Sequence, residues 1–144
     1  MKINEGESRV VHDILELLPV GAKIKASGWR QLNDNGGVLQ NVSEDIEGIE
    51  LRNDGHIAQI HLDDMGMCGV FPTSIACCSH LTSFSAKGNM LNGPIPDGLM
   101  NCVSLTSLSL GNGTQKNLLS GNLVKIGNLV NLKILELGGN SFTG

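Results

Sequence analysis

The sequence predicts an α/β solenoid: a right-handed coil of stacked units with short parallel strands along a concave face, preceded by a helix and a hairpin. Three observations predict it. The stretch IAQIHLDDMGMCGVFPTSIACCSH (57–80) aligns without gaps over LTSFSAKGNMLNGPIPDGLMNCVS (81–104), a period of 24 residues. Apolar side chains hold the first, fourth and sixth places of each unit, as Ile57, Ile60, Leu62 and then Leu81, Phe84, Ala86. Asparagine recurs at the ninth place and glycine at the thirteenth, as Asn89 and then Gly69 and Gly93.

The apolar spacing places alternate side chains inward from a short strand. The asparagines Asn89, Asn117 and Asn140 share one register. A short amide with donors and an acceptor can satisfy turn backbone groups that would otherwise be buried unpaired, so the three predict a structural ladder. Glycine at the thirteenth place suits a positive φ. Pro72 and Pro96 open the convex segment of their units with a fixed φ. Ile75 and Leu99 follow, and then Cys78 and Cys102. A third unit opens with LTSLSL (105–110) and is stretched by GNGTQKN (111–117), so it spans 27 residues. A fourth, LKILELGGNSFTG, runs from Leu132 to Gly144 and covers half a unit. Coils of this kind bury their core only against one another.

The run MLNGPIPDGLMNCVSLTSLSL closely resembles the leucine-rich repeats of plant receptor-like kinases and polygalacturonase-inhibiting proteins. The resemblance covers residues 57–144 and implies a leucine-rich-repeat solenoid of three repeats plus a truncated fourth. Such a solenoid is a general recognition scaffold, so the resemblance speaks to fold more than to function.

Residues 1–56 read as an N-terminal cap. Ser8 suits a helix N-cap, and Val11, Ile14, Leu15 and Leu18 follow on one helical face, ended by Pro19 and Gly21. Trp29 and a turn-rich NDNGG stretch at 33–37 come next. IEGIEL (46–51) and HIAQIHL (56–62) flank the NDG turn at 53–55 and predict a hairpin. A helix, a tryptophan, a turn and a first strand resemble the family's cap, which carries W-x-G-V-x-C. Gly48 and Ile49 agree with it, Ile46 replaces the tryptophan and Leu51 the cysteine, so the family's cap disulfide has no counterpart at Leu51.

Charge and composition exclude several partners. Residues 1–56 carry six basic and ten acidic side chains and residues 57–144 four of each, for a net charge of −4. An acidic chain with three Phe, one Trp and no Tyr offers neither a basic face nor a stacking surface, which argues against nucleic acid. No apolar run reaches the roughly 20 residues that span a bilayer. The opening MKINEGESRVVHD lacks the apolar centre of a secretion signal, and with no cap disulfide the expectation is a cytoplasmic protein. The alternative is a plasma-membrane or extracellular one if the chain is a fragment, in which case the sequons at Asn41 and Asn112 would matter.

No catalytic constellation emerges. His56, His61, Asp63 and Asp64 lie close but do not complete a metal-ligand set, and they read as solvated strand residues. His12 and His80 read as a helix and a loop residue. The aligned serines lack a G-x-S-x-G elbow, and no phosphate-loop or kinase signature occurs. All four cysteines (Cys68, Cys77, Cys78, Cys102) fall inside repeats. Cys78 and Cys102 read as small buried apolar groups, with a bridge between adjacent coils as the alternative. No metal, cofactor or enzymatic activity is expected.

The expected ligand face consists of the outward strand positions: Gln59, His61 and Asp63; Thr82, Ser83, Ser85 and Lys87; Thr106, Ser107 and Ser109; and Lys133 and Glu136, with Asp64 and Ile134 beside them. It is polar, small and lightly charged. The expectation is a non-catalytic module that binds a protein or peptide, with the start of a receptor ectodomain or a secreted enzyme inhibitor as the alternative. Leu132, Leu135 and Leu137 would stand at an open end, which predicts self-association there or a longer product.

Overall fold

The computed structural model describes residues 3–19, 48–111 and 117–144. Gly21, Trp29, the NDNGG stretch, Ile46, both sequons and most of the 111–117 insertion lie outside the described residues.

The repeats form coils that alternate between two parallel sheets. The first sheet takes the L-x-x-L-x-L segments: β2 (Ile57–His61), β4 (Ser83–Ser85), β6 (Ser107–Ser109) and β8 (Ile134–Glu136). Strand β1 (Ile49–Leu51) pairs antiparallel with β2, so the sheet order is β1-β2-β4-β6-β8. The hairpin expected around the NDG turn is therefore present. Residue i of one unit pairs with i+24 of the next in Phe84↔Leu108, and the stretched third unit raises this to 27 in Leu108↔Leu135. The longer spacing leaves the pairing of β6 with β8 in register.

A second parallel sheet was not anticipated from the sequence. It is formed by β3 (Cys68–Val70), β5 (Met90–Pro94), β7 (Leu118–Asn122) and β9 (Ser141–Thr143). These strands follow the asparagine of each unit and show no clean apolar alternation. Leu91 and Leu119 are buried, as is Met67 at the equivalent place just before β3, and Phe142 is partly buried; the glycines two places on leave the alternation incomplete. Gly69, Gly93 and Gly121 all have positive φ, as the thirteenth place required. Short 3-10 helices, Thr73–Cys77, Asp97–Asn101 and Val124–Asn128, close the coils. Pro72 and Pro96 immediately precede the first two, where a fixed φ near −65° costs no hydrogen bond.

The core runs along the solenoid as columns. Ile57, Leu81 and Leu105 are fully buried, as are Ile75 and Leu99, and Ile60 continues into Phe84 and Leu108. Cys78 and Cys102 occupy one such column, and both are free thiols. Burial pushes both thiols up, Cys102 to about 11, which keeps them protonated and apolar. Cys102 Sγ lies 3.8 Å from Ile75 O. They serve as small packing groups rather than a bridge.

The helix α1 (Ser8–Leu17) lies at the other end and buries Val10, Val11, Ile14 and Leu15. Its start corrects the expectation for Ser8. A 3-10 helix at Glu5–Glu7 precedes it, capped by Asn4, whose Oδ1 accepts from Gly6 N at 3.0 Å. Ser8 is already the first helical residue, and its hydroxyl donates back to Glu5 O at 2.9 Å. Asn4 thus does the capping one turn earlier than the sequence suggests. Glu7 ties this segment to the hairpin. Its side chain is 2% exposed, Oε2 accepts from Ile57 N at 2.6 Å, and Oε1 lies 3.2 Å from His56 Nδ1.

Candidate functional site

Register decides which side chains share the outer face of the first sheet. Two rows cross the strands. One runs Glu50, Gln59, Ser83, Ser107, Ile134, and the other runs His61, Ser85, Ser109, Glu136. The parallel pairing superposes equal places of successive units, so a polar repeat position becomes a polar row. Asp63, Asp64 and Lys87 stand just beyond the strand ends.

Most of the expected ligand residues are brought together, but much of their hydrogen-bonding capacity is spent on one another. Ser85 Oγ donates to Asp63 Oδ1 at 2.5 Å, and Lys87 N donates to the same oxygen at 2.8 Å. Lys87 Nζ reaches Glu136 Oε2 at 3.5 Å. His61 Nε2 lies 2.9 Å from Ser83 Oγ. The Ser109 hydroxyl and the Lys87 ammonium hold the Glu136 carboxyl below its usual 4.5, against a smaller opposing effect of burial.

Three of the expected ligand residues are engaged within the protein. Ser109 is 6% exposed, and its hydroxyl donates a hydrogen bond to the Glu136 carboxylate. Thr82 and Thr106 point their hydroxyls at the preceding coil: Thr82 Oγ1 donates to Ala58 O and Thr106 Oγ1 to Thr82 O, both at 3.0 Å. These two hold strand ends together and have no proton left for a ligand. Ser107 remains half-buried and Lys133 exposed.

The asparagines lie behind this face. Asn89 accepts from Met65 N and Met67 N, each at 3.0 Å, and donates to Leu62 O, Ala86 O and Lys87 O. Asn117 accepts from Leu91 N and donates to Ala86 O and Leu110 O, and Asn140 repeats this with Leu119 N, Leu110 O and Leu137 O. Each amide bridges two coils, so it fixes the spacing of the strands that carry the face.

Sequence reasoning missed Glu50. The hairpin register places it opposite Gln59 and so onto the first row. The NDG turn predicts the hairpin, but a register shift between Glu50 and Leu51 sets the pairing of Glu50, and the sequence shows no sign of that shift. Next to it Gly48 has φ +90°, and a Cβ there would stand 2.4 Å from His61 O. A hollow of about 200 Å³ nearby is lined by Gly48, Ile49, Glu50, Gln59 and His61.

Among the described residues no group of three His, Cys, Asp or Glu side chains is placed to hold a metal ion, and no helix is long and apolar enough to cross a membrane.

No family model matches the chain. A curated relative, receptor-like protein kinase 7 of Arabidopsis thaliana, is 39% identical over 75 residues, which is 51% of this chain and 7% of that protein. The chain thus spans a small fraction of the relative it matches. Among solved structures, the PEPR1–AtPEP1 complex superposes with a TM-score of 0.77 at 21% identity, over 98% of this chain and 19% of that one. The Arabidopsis receptor kinase HAESA, in complex with the peptide hormone IDA and a co-receptor, gives 0.71 at 26% identity over 94% and 22%. The leucine-rich-repeat ectodomain of the Arabidopsis membrane receptor kinase GASSHO1/SCHENGEN3 gives 0.69 at 22% over 94% and 15%. These relatives are receptor kinases and their ectodomains, which overturns the expectation of a cytoplasmic protein. That expectation leaned on the lack of an apolar secretion signal in the opening residues and on Leu51 in place of the cap cysteine, and neither absence assigns a compartment.

Proposed function

We propose, from the premise that the chain carries leucine-rich repeats of the plant receptor type, that it is a non-catalytic recognition module that binds an extended peptide or a protein segment across the concave face of its first sheet. Residues 1–56 act as the N-terminal cap and residues 57–144 as the repeats that present the face. The observation that carries this reading is the pair of small hydroxyl side chains Ser83 and Ser107, in register at the middle of the row. They make a shallow floor between the longer Gln59 and His61 on one side and Ile134 and Glu136 on the other. A chain laid across the strands would meet backbone-sized gaps in the centre and hydrogen-bonding or apolar groups at the rims. HAESA, which this chain resembles over most of its length, is seen with a peptide hormone, and that supports the choice of ligand class.

The test is selection of random extended peptides against the full chain, followed by Ser83→Trp with Ser107→Trp. Bulk at the floor should weaken every selected peptide at least about tenfold while the circular dichroism stays unchanged. Undiminished binding to the folded double variant overturns the reading. A second association surface is the far side of the last described coil, where Leu135, which continues a core column, is 44% exposed. A further coil of the same chain or a second copy would cover it, and concentration-dependent light scattering of the chain reports the second of these. A mass that stays monomeric at high concentration rejects it.

A further inference from the structure

The polar groups of the first sheet are unevenly committed. Asp63 is satisfied by Ser85 and by the Lys87 backbone, Lys87 and Ser109 by Glu136, and His61 by Ser83. Among the described residues the Glu50 carboxylate and the Gln59 amide stand apart, with no hydrogen-bond or ion-pair partner. Both border the hollow they line with Gly48, Ile49 and His61. An exposed carboxylate and a rotatable amide oxygen that border one open space of about 200 Å³ make a pair of acceptors.

We infer that this hollow is a subsite for a cationic group of the bound peptide, a guanidinium or an ammonium, held by Glu50 and Gln59. The chemistry selects the sign. An anionic side chain would meet Glu50 at close range with no cation on the row to offset it. A neutral apolar side chain would strip water from two acceptors without replacing the bonds. A guanidinium brings five donors in a planar fork and can engage the carboxylate with two of them while a third reaches Gln59. The row then continues to Ser83 and Ser107, so a basic residue in the hollow leaves the neighbouring backbone over the small side chains. The subsite deepens the peptide-binding reading and rests on it.

The experiment is a nuclear magnetic resonance titration of the full chain with Nα-acetyl-arginine amide, with the citrulline analogue as the uncharged isostere. Arginine amide should shift the backbone resonances of Gly48, Glu50 and Gln59 saturably. The citrulline analogue should leave them in place. Glu50→Gln should weaken the effect about two- to fivefold, the range of an exposed ion pair, with the rest of the spectrum unchanged. Gln59→Leu gives the same readout from the other acceptor should Glu50→Gln fail to fold. Shifts that are absent, equal for citrulline, or unchanged in both variants overturn the subsite. The titration needs no peptide, so it can fail while binding over Ser83 and Ser107 stands. Loss of peptide binding in the serine variants only, or retention there, bears on the broader reading alone.

Discussion

Asn89 is fully buried, and its one amide answers five backbone groups. Removing it leaves Met65 N and Met67 N without a partner inside the protein, so Asn89→Ala should cost about 2–4 kcal/mol. Asn140 is half-buried, and water can replace part of what it supplies, so Asn140→Ala should cost about 1 kcal/mol. Urea midpoints for the two variants check the order, and equal losses would contradict it. The cysteines divide as sharply. Cys68 and Cys77 are exposed, whereas Cys78 and Cys102 are buried with raised pKa values. A thiolate-directed reagent should label two of the four thiols in the native chain and all four in denaturant. The recurrence of asparagine was legible because one residue type does one job in every unit. Ser109 and Glu50 were not. Exposure of the first depends on a side chain in the next coil, and placement of the second depends on an antiparallel register that a repeat pattern does not encode.

Elements meet at glycines where coils stack. A Cβ on Gly111 would fall 2.1 Å from Gly138 O, which is backbone and cannot move aside alone. A Cβ on Gly98 would fall 2.3 Å from the Ala76 Cβ, between two successive 3-10 helices. Gly127 lies in the third of these helices with nothing within 4 Å and no positive φ. Gly111→Ala and Gly98→Ala should each lose roughly 1–3 kcal/mol, with Gly111 the worse, while Gly127→Ala should be neutral or gain up to about 1 kcal/mol. Thermal melts of the three variants test the ranking. At the other end, α1 is pinned to the first 3-10 helix of the repeats by Ser74 Oγ, which donates to Asp13 Oδ2 at 2.7 Å, with Arg9 Nε on the other oxygen at 2.8 Å. Burial pushes the Asp13 carboxyl up, but the bonds from Ser74, His12 and Arg9 outweigh it and hold the group below its usual 3.8. A carboxyl with a depressed native pKa adds stability above its ordinary value and loses it as pH falls through the native one. The gap between the parent and Asp13→Asn should therefore be constant near neutrality and close as pH drops below 3.8. The amphipathic face of α1 was legible from its spacing, whereas its docking partner Ser74 sits 61 residues away and leaves no local trace.

At the scale of the molecule, stability is a sum over neighbouring coils, and each core column records how many neighbours a side chain has. Ile60, Phe84 and Leu108 form one column with exposures of 0%, 3% and 0%, and Leu135 continues it at 44%. The same substitution should therefore cost different amounts along one column. Leu108 is enclosed on both sides, so Leu108→Ala loses its transfer energy and leaves a cavity, about 2–5 kcal/mol in all. Leu135 is covered on one side only, and its neighbours can relax into the open side, so Leu135→Ala should cost less than about 1.5 kcal/mol. Hydrogen exchange of the parent should show the same gradient, with the amides of β6 protected to the global limit and those of β8 opening below it. Equal costs at the two leucines, with equal protection in β6 and β8, would mean that the end coil is covered in solution. Pairing of two copies through Leu135 would then account for it, and diluting the sample should restore the gradient.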